Sequence, residues 1–293
     1  QLILYKKTPE KDHSNLRDIF FGFKENPGVI RKIVLFFRHH RHAFIDFARP
    51  LNLKVYLEGQ PPERPTEEMA TEVRNMLIES IDRQKRVILG PVMKSRQLLK
   101  EKVLKDPEIT STIEHLAGGN TKKIKQLRKN ADENFDEIAA DYNMAYVQFF
   151  HIALNWLWKK IFEGIDVDLE NLAIVRESAR KGPVIYIPSH KSHIDYLVLN
   201  YVLYANHMHI PRIAAGKNLA FWPMGHIFRK SGAFFIRRSF KGARLYAKVF
   251  TRYIAALLEE GHPLEFYIEG GRSRSGKLIL PKLGFVSILL KAY

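Results

Sequence analysis

The sequence predicts an α/β fold in two parts: a mostly helical N-terminal domain over residues 1–165, then an α/β domain over residues 166–293. Three observations support this. Before position 165, apolar residues recur at helical spacing. From Leu169 onward, short runs of β-forming residues alternate with helix-like segments. His, Asp, Glu and Arg gather where those short runs end, as in a sheet whose loops collect at one end.

In the first part, Thr66 with Glu67 and Glu68 starts a helix after the proline-rich break at 61–65. Met69, Val73, Met76, Leu77 and Ile81 then fall on one face, and Gly90-Pro91 interrupts. A basic helix is expected over residues 92–105, a loop at Gly118-Gly119-Asn120, and one long helical segment over residues 121–164. That segment begins charged and ends aromatic, with Tyr146, Phe149, Phe150, Trp156, Trp158 and Phe162. Two stretches have the basic, aromatic character of helices that lie in a lipid headgroup layer: residues 29–49 and residues 146–162. Packing inside the protein is the more frequent fate of an apolar stripe and is expected of residues 146–162. For residues 29–49 the two readings balance. In the second part, strands are expected over 184–187, 233–237 and 264–268, with helices over 196–204 and 243–260.

Composition narrows the chemistry. The hydrophobic content of 46% and charged content of 27% belong to a globular chain. No cysteine is present, which excludes disulfides, thiolate metal sites and cysteinyl intermediates. Lysine and arginine outnumber acidic residues 47 to 31, giving a net charge of +16. Such an excess favours a polyanionic partner: nucleic acid, an anionic membrane face or a phosphorylated substrate. No uninterrupted apolar run approaches the ~20 residues of a spanning helix. The first residue, Gln1, fits a segment of a longer chain.

Residues 188–195 read Pro-Ser-His-Lys-Ser-His-Ile-Asp, between a β-type run and a helix-like one. With His190 on the loop and Asp195 in the first helical turn, the imidazole can act as a base that the carboxylate orients. The plainer reading makes Ser192 and Asp195 a helix-start capping box. Downstream, Gly232-Ala-Phe-Phe-Ile-Arg-Arg238 reads as a buried strand emerging into two arginines, of which at most one faces a given pocket. A third run, Glu265-Phe-Tyr-Ile-Glu269, leads into Gly270-Gly271-Arg272-Ser273-Arg274-Ser275-Gly276-Lys277. Its glycines admit an anion closely, and arginine forks suit phosphate. Glu269 is expensive in a pure phosphate site, so it is expected to hold an arginine or bond a substrate hydroxyl. Residues 271–277 also fit the start of a nucleotide-binding loop. However, Leu278 stands where Ser or Thr should ligate magnesium, and Pro281 spoils the helix that should follow. Nucleotide hydrolysis is rejected.

With these elements in view, the chain resembles the glycerolipid acyltransferases, and most of all the bacterial membrane-bound glycerol-3-phosphate acyltransferases. The first block of that family, H-x-x-x-x-D, is matched by His190 and Asp195. The second, G-x-x-F-x-x-R, is matched by Gly232, Phe235 and Arg238. The third falls on Tyr267, Glu269, Gly270, Arg272, Ser273 and Arg274. Connecting text at 213–218 and 221–223 agrees, and the likeness extends upstream through 137–142 and 156–158. Tyr267 stands where the family commonly has phenylalanine. A fourth block, a proline-bearing strand, lies beyond what the chain includes, so the resemblance implies a central mixed sheet truncated at the C-terminus.

The resemblance implies transfer of a fatty acyl group from acyl-CoA or acyl carrier protein to the sn-1 hydroxyl of glycerol 3-phosphate, the first step of phospholipid synthesis. His190 would take the hydroxyl proton, Asp195 would support the imidazole, and Arg238, Glu269, Gly270, Arg272, Ser273 and Arg274 would bind the glycerol phosphate. Direct transfer is expected over an acyl-enzyme on Ser189. The thioester is already activated, so no metal or further cofactor is expected. An anionic membrane surface is the expected partner, at the cytoplasmic face of the inner membrane and without a nucleic acid. Dihydroxyacetone phosphate and lysophosphatidate stand as alternative acceptors. A basic module that binds anionic lipid or nucleic acid without chemistry is the alternative of another class.

Overall fold

The computed structural model describes residues 2–6, 43–47 and 50–292, apart from 62, 193, 274 and 278. Strand β1 (Leu2–Lys6) pairs antiparallel with β2 (Ala43–Phe47), Leu2 opposite Phe47. The helix considered for residues 29–49 is therefore a strand over 43–47, where Phe44, Ile45 and Phe47 are β-formers. The remainder of that stretch lies outside the described residues.

Helices α1 (Leu53–Glu58), α2 (Thr66–Leu89), α3 (Arg96–Leu104), α4 (Pro107–Ala117), α5 (Thr121–Ile138) and α6 (Met144–Lys160) follow. Side-chain caps set most of their starts. The Ser95 hydroxyl accepts from Leu98 N–H at 3.1 Å, and the Asp106 carboxylate accepts from Glu108 N–H at 2.9 Å with Pro107 in the first turn. Helix α4 was not foreseen, although this Asp-Pro signature marks it. The single segment expected over 121–164 is two helices. Between them, the N–H groups of Asp141 and Asn143 donate to the carbonyls of Arg229 and Lys230 at 3.1 and 2.8 Å. That pairing reaches across some 90 residues, and no local propensity encodes it.

The second half runs α7 (Leu169–Lys181), β3 (Ile185–Tyr186), α8 (Asp195–Ala205), β4 (Arg212–Gly216), α9 (Met224–Lys230), β5 (Ala233–Ile236), α10 (Arg244–Glu259), β6 (Leu264–Glu265) and α11 (Leu283–Ala292). The sheet order is β3-β6-β4-β5 and every pairing is parallel. Among the described residues the sheet is thus parallel and not mixed, because a helical crossover joins each strand to the next and returns it in the same direction. Strand β4 was missed in the sequence. Arg-Ile-Ala-Ala-Gly is poor in β-formers, and its place between β5 and β6 is what makes it a strand.

Helices cover both faces of this sheet. On one, Val103, Ile109, Phe135, Val249, Phe250, Tyr253 and Ile254 from α3, α4, α5 and α10 enclose Phe234, Leu264 and Phe266. On the other, Val87, Val147, Leu203 and Tyr204 from α2, α6 and α8 pack together, with Leu172 and Val175 of α7 against them. Each core draws on residues from both sides of position 165, so the change there is one of element type within a shared interior.

A buried basic cluster lies at the start of β4, away from the ends of the strands. Arg212, His209 and His262 are all under a tenth exposed, and the Arg212 guanidinium stacks 3.9 Å over the Tyr142 ring. The His209 ring fills the space where a Cβ on Gly90 would sit, at a backbone φ of 77°. Burial, reinforced by Arg212, pushes His209 down to about 3 and His262 well below its usual range. Both bases are therefore neutral in the fold and protonate more readily when unfolded. The contribution of His209 to stability is full above about 6.5 and is lost as pH falls from there towards 3, and His262 acts in the same direction. The urea midpoint should drop between pH 7 and pH 5, and His209→Gln should flatten that slope. An equal slope in the variant would contradict this origin.

Candidate active site

Parallel strands deliver their loops to one edge, so the segments after β3, β5 and β6 converge. They line a cavity of about 810 Å³ whose walls include His190, Arg238, Gly270 and Arg272. Leu154, Tyr201, Tyr204 and Phe228 supply an apolar side. Another hollow, about 510 Å³ between α3, α4 and α5, has no histidine among its lining residues.

His190 and Asp195 meet as the sequence predicted. Nδ1 of His190 lies 3.1 Å from Oδ2 of Asp195, and the side chains are 15% and 23% exposed. The same oxygen accepts the N–H groups of Lys191 and Ser192, each at 2.7 Å, while the Ser192 hydroxyl accepts from Ile194 N–H at 3.1 Å. One carboxylate thus turns the loop and faces the ring, while the helix itself starts at an N-cap, Ile194, with no side-chain cap bond. Burial pushes the Asp195 carboxyl up. The hydrogen bonds from Ser192, His190 and Lys191 outweigh that and hold it below the usual aspartate range. With Nδ1 engaged, Nε2 is the ring nitrogen left for a substrate.

The loop after β6 braces this pair. Glu269 is 5% exposed, and its carboxylate accepts the backbone N–H of His190 at 3.2 Å and the Ser189 hydroxyl at 3.4 Å. These contacts stand where an arginine or a substrate hydroxyl was expected, since the strands bearing the two loops are neighbours and their loops pack directly. Ser273 likewise turns to the base: its N–H donates to the His190 carbonyl at 2.8 Å, and its hydroxyl donates to the Lys277 carbonyl. Gly270 has φ 64°, and a Cβ there would stand 2.8 Å from the Lys282 side chain.

The two consecutive arginines divide their labour. Arg237 Nε and Nη2 donate to Glu137 at 2.6 and 2.9 Å, and its guanidinium lies 4.0 Å over Tyr246. It ties β5 to α5, and both arginines line the cavity, against the expectation of at most one, because they lie past the last residue of β5; Arg238 has no ion pair among the described residues. Arg272 reaches the same cavity from the opposite loop. Arg274 lies outside the described residues. Lys282 also lines the cavity and was not singled out, because a lone lysine after a proline carries no pattern. Among the described residues after 271, the next helix begins at Leu283, two residues past Pro281.

Residues 167–293 match the family model described as Acyltransferase. The chain is 36% identical, over 291 residues and 99% of its length, to proteins named glycerol-3-phosphate acyltransferase from Shewanella frigidimarina and Shewanella baltica. It is also 36% identical over 293 residues to the protein of the same name from Shewanella loihica. The chain spans 35% of the length of each of these relatives.

Proposed function

Since the chain belongs to the acyltransferase family through residues 167–293, we propose that the whole protein transfers a fatty acyl group from acyl-CoA or acyl carrier protein to the sn-1 hydroxyl of glycerol 3-phosphate. One observation carries this reading: His190, which is paired with Asp195, and the guanidinium groups of Arg238 and Arg272 border one cavity with an apolar side. In the proposed step, His190 Nε2 accepts the hydroxyl proton as the oxygen attacks the thioester carbonyl. The carbon–sulfur bond then breaks, and the imidazolium returns that proton to the departing thiolate. Asp195 stabilises the charged ring meanwhile. Arg238 and Arg272 neutralise the phosphate, and Glu269, Gly270 and Ser273 keep the base's loop in register with theirs. Incubating the full-length protein with labelled glycerol 3-phosphate and palmitoyl-CoA on liposomes should yield labelled lysophosphatidate. Dihydroxyacetone phosphate and lysophosphatidate should be poorer acceptors. No product from any of the three would overturn the reading.

The place of work is proposed to be an anionic membrane surface, at the cytoplasmic face of the inner membrane. The expectation that residues 146–162 pack wholly inside is only half met. Val147, Leu154 and Trp158 of α6 are buried, but Phe149, Ile152 and Trp156 on its opposite face are 67%, 69% and 60% exposed. Lys159 and Lys160 close the helix. An outward apolar stripe with terminal lysines fits the headgroup layer of anionic lipid. No helix among the described residues is long and apolar enough to cross a membrane. Burying each such side chain is worth roughly 1.5–3 kcal/mol, so Ile152→Glu with Trp156→Glu should weaken binding to phosphatidylglycerol vesicles at least about tenfold. Unchanged binding would assign that face to another part of the full-length protein.

A further inference from the structure

A buried carboxylate that the proposed chemistry does not use lies beneath the His190–Asp195 pair. Glu265, the last residue of β6, is 0% exposed. Leu264 before it faces the α10 core, so strand alternation turns Glu265 towards α8 and the cavity side of the sheet. Its Oε2 accepts from Asn200 Nδ2 at 2.8 Å, and its Oε1 accepts the Tyr267 hydroxyl at 3.0 Å.

Those two donors belong to the two halves of the site. Asn200 sits on α8, whose first residue is Asp195, and its amide also donates to the Tyr196 carbonyl at 2.7 Å. Tyr267 is on the loop after β6, and its ring lies against the His190 imidazole with centroids 4.1 Å apart and planes at 33°. Glu265 has no ion-pair partner among the described residues, its bonds being those from Asn200 and Tyr267. Burial raises its carboxyl to about 7, and the hydrogen bonds from Asn200 and Tyr267 oppose that rise. Burying an ion is costly unless hydrogen bonds repay it, and the bonds from Asn200 and Tyr267 are the ones this carboxylate accepts.

We infer that Glu265 is a positioning residue for the acyl transfer, holding the helix that carries Asp195 and the ring that backs His190 in one fixed relation. The inference rests on the functional reading above. It concerns a side chain that touches neither substrate.

Variants of the full-length protein on vesicles test it. Glu265→Ala should lower kcat about ten- to a hundredfold and leave KM for glycerol 3-phosphate within about twofold, since only the base's alignment suffers. Glu265→Gln, which keeps an acceptor, should recover most of that loss. Tyr267→Phe should lower kcat severalfold alone but add nothing in the Glu265→Ala background, because both cut the same link. Independently of turnover, the Lys191 and Ser192 amides held by Asp195 should exchange about tenfold faster in Glu265→Ala and in Tyr267→Phe, with global unfolding unchanged. A kcat within twofold of wild type, equal losses in the Ala and Gln variants, or additive losses in the double variant would overturn the role. Should the wild type transfer no acyl group, the functional reading fails by itself. The exchange rates then still decide the bracket: faster exchange upholds it and unchanged exchange overturns it.

Discussion

His190→Ala in the full-length protein should lose turnover by about 10²–10⁴, the usual worth of a positioned general base, while its affinity for glycerol 3-phosphate stays within a few-fold. The two effects separate because the ring and the guanidinium groups stand on different loops. His190 lies after β3, Arg238 after β5 and Arg272 after β6. Removing the imidazole leaves the arginines in place. It also leaves the backbone N–H and carbonyl through which Glu269 and Ser273 hold the loop, at 3.2 and 2.8 Å. Single-turnover rates and calorimetric binding measure the two quantities independently. A variant retaining more than about a hundredth of the wild-type rate would contradict the assignment of the base.

Arg272→Ala should act the other way, raising KM for glycerol 3-phosphate about ten- to a hundredfold with kcat little changed. A charge-assisted hydrogen bond to phosphate is worth roughly 1.5–3 kcal/mol. Arg272 is an exposed residue at the cavity rim, where solvent screens it, so the lower part of that range is expected. Arg238 is the partner in this duty and Arg237 is not, since Glu137 already engages Arg237 through two nitrogens. Steady-state kinetics at varied glycerol phosphate and saturating donor make the test. A change confined to the acyl donor's KM would move Arg272 to the other substrate.

What the sequence revealed depended on how local each signal was. The start of α2 at Thr66 and the pairing of His190 with Asp195 were legible because their cues lie within a few residues of one another. Strand β4 was hidden, since Ala214, Ala215 and Gly216 have no β preference and become a strand only between two neighbours. The break at 139–143 was hidden for the same reason, its N–H groups finding carbonyls at Arg229 and Lys230. Strand alternation predicted that at most one of two consecutive arginines would face the pocket, yet both line it past the end of β5, and Glu137, a hundred residues earlier in the chain, is what engages Arg237. Glu269 and Ser273 lie against the loop that carries His190. Their contacts with the His190 backbone arise from strand order, which no spacing in the sequence encodes.

A structure of the full-length protein with glycerol 3-phosphate bound would test the shared cavity most directly. The phosphate should contact the guanidinium groups of Arg238 and Arg272, with the sn-1 hydroxyl about 2.6–3.2 Å from His190 Nε2. A phosphate seated elsewhere, or a hydroxyl beyond the reach of that nitrogen while the arginines are engaged, would contradict the account.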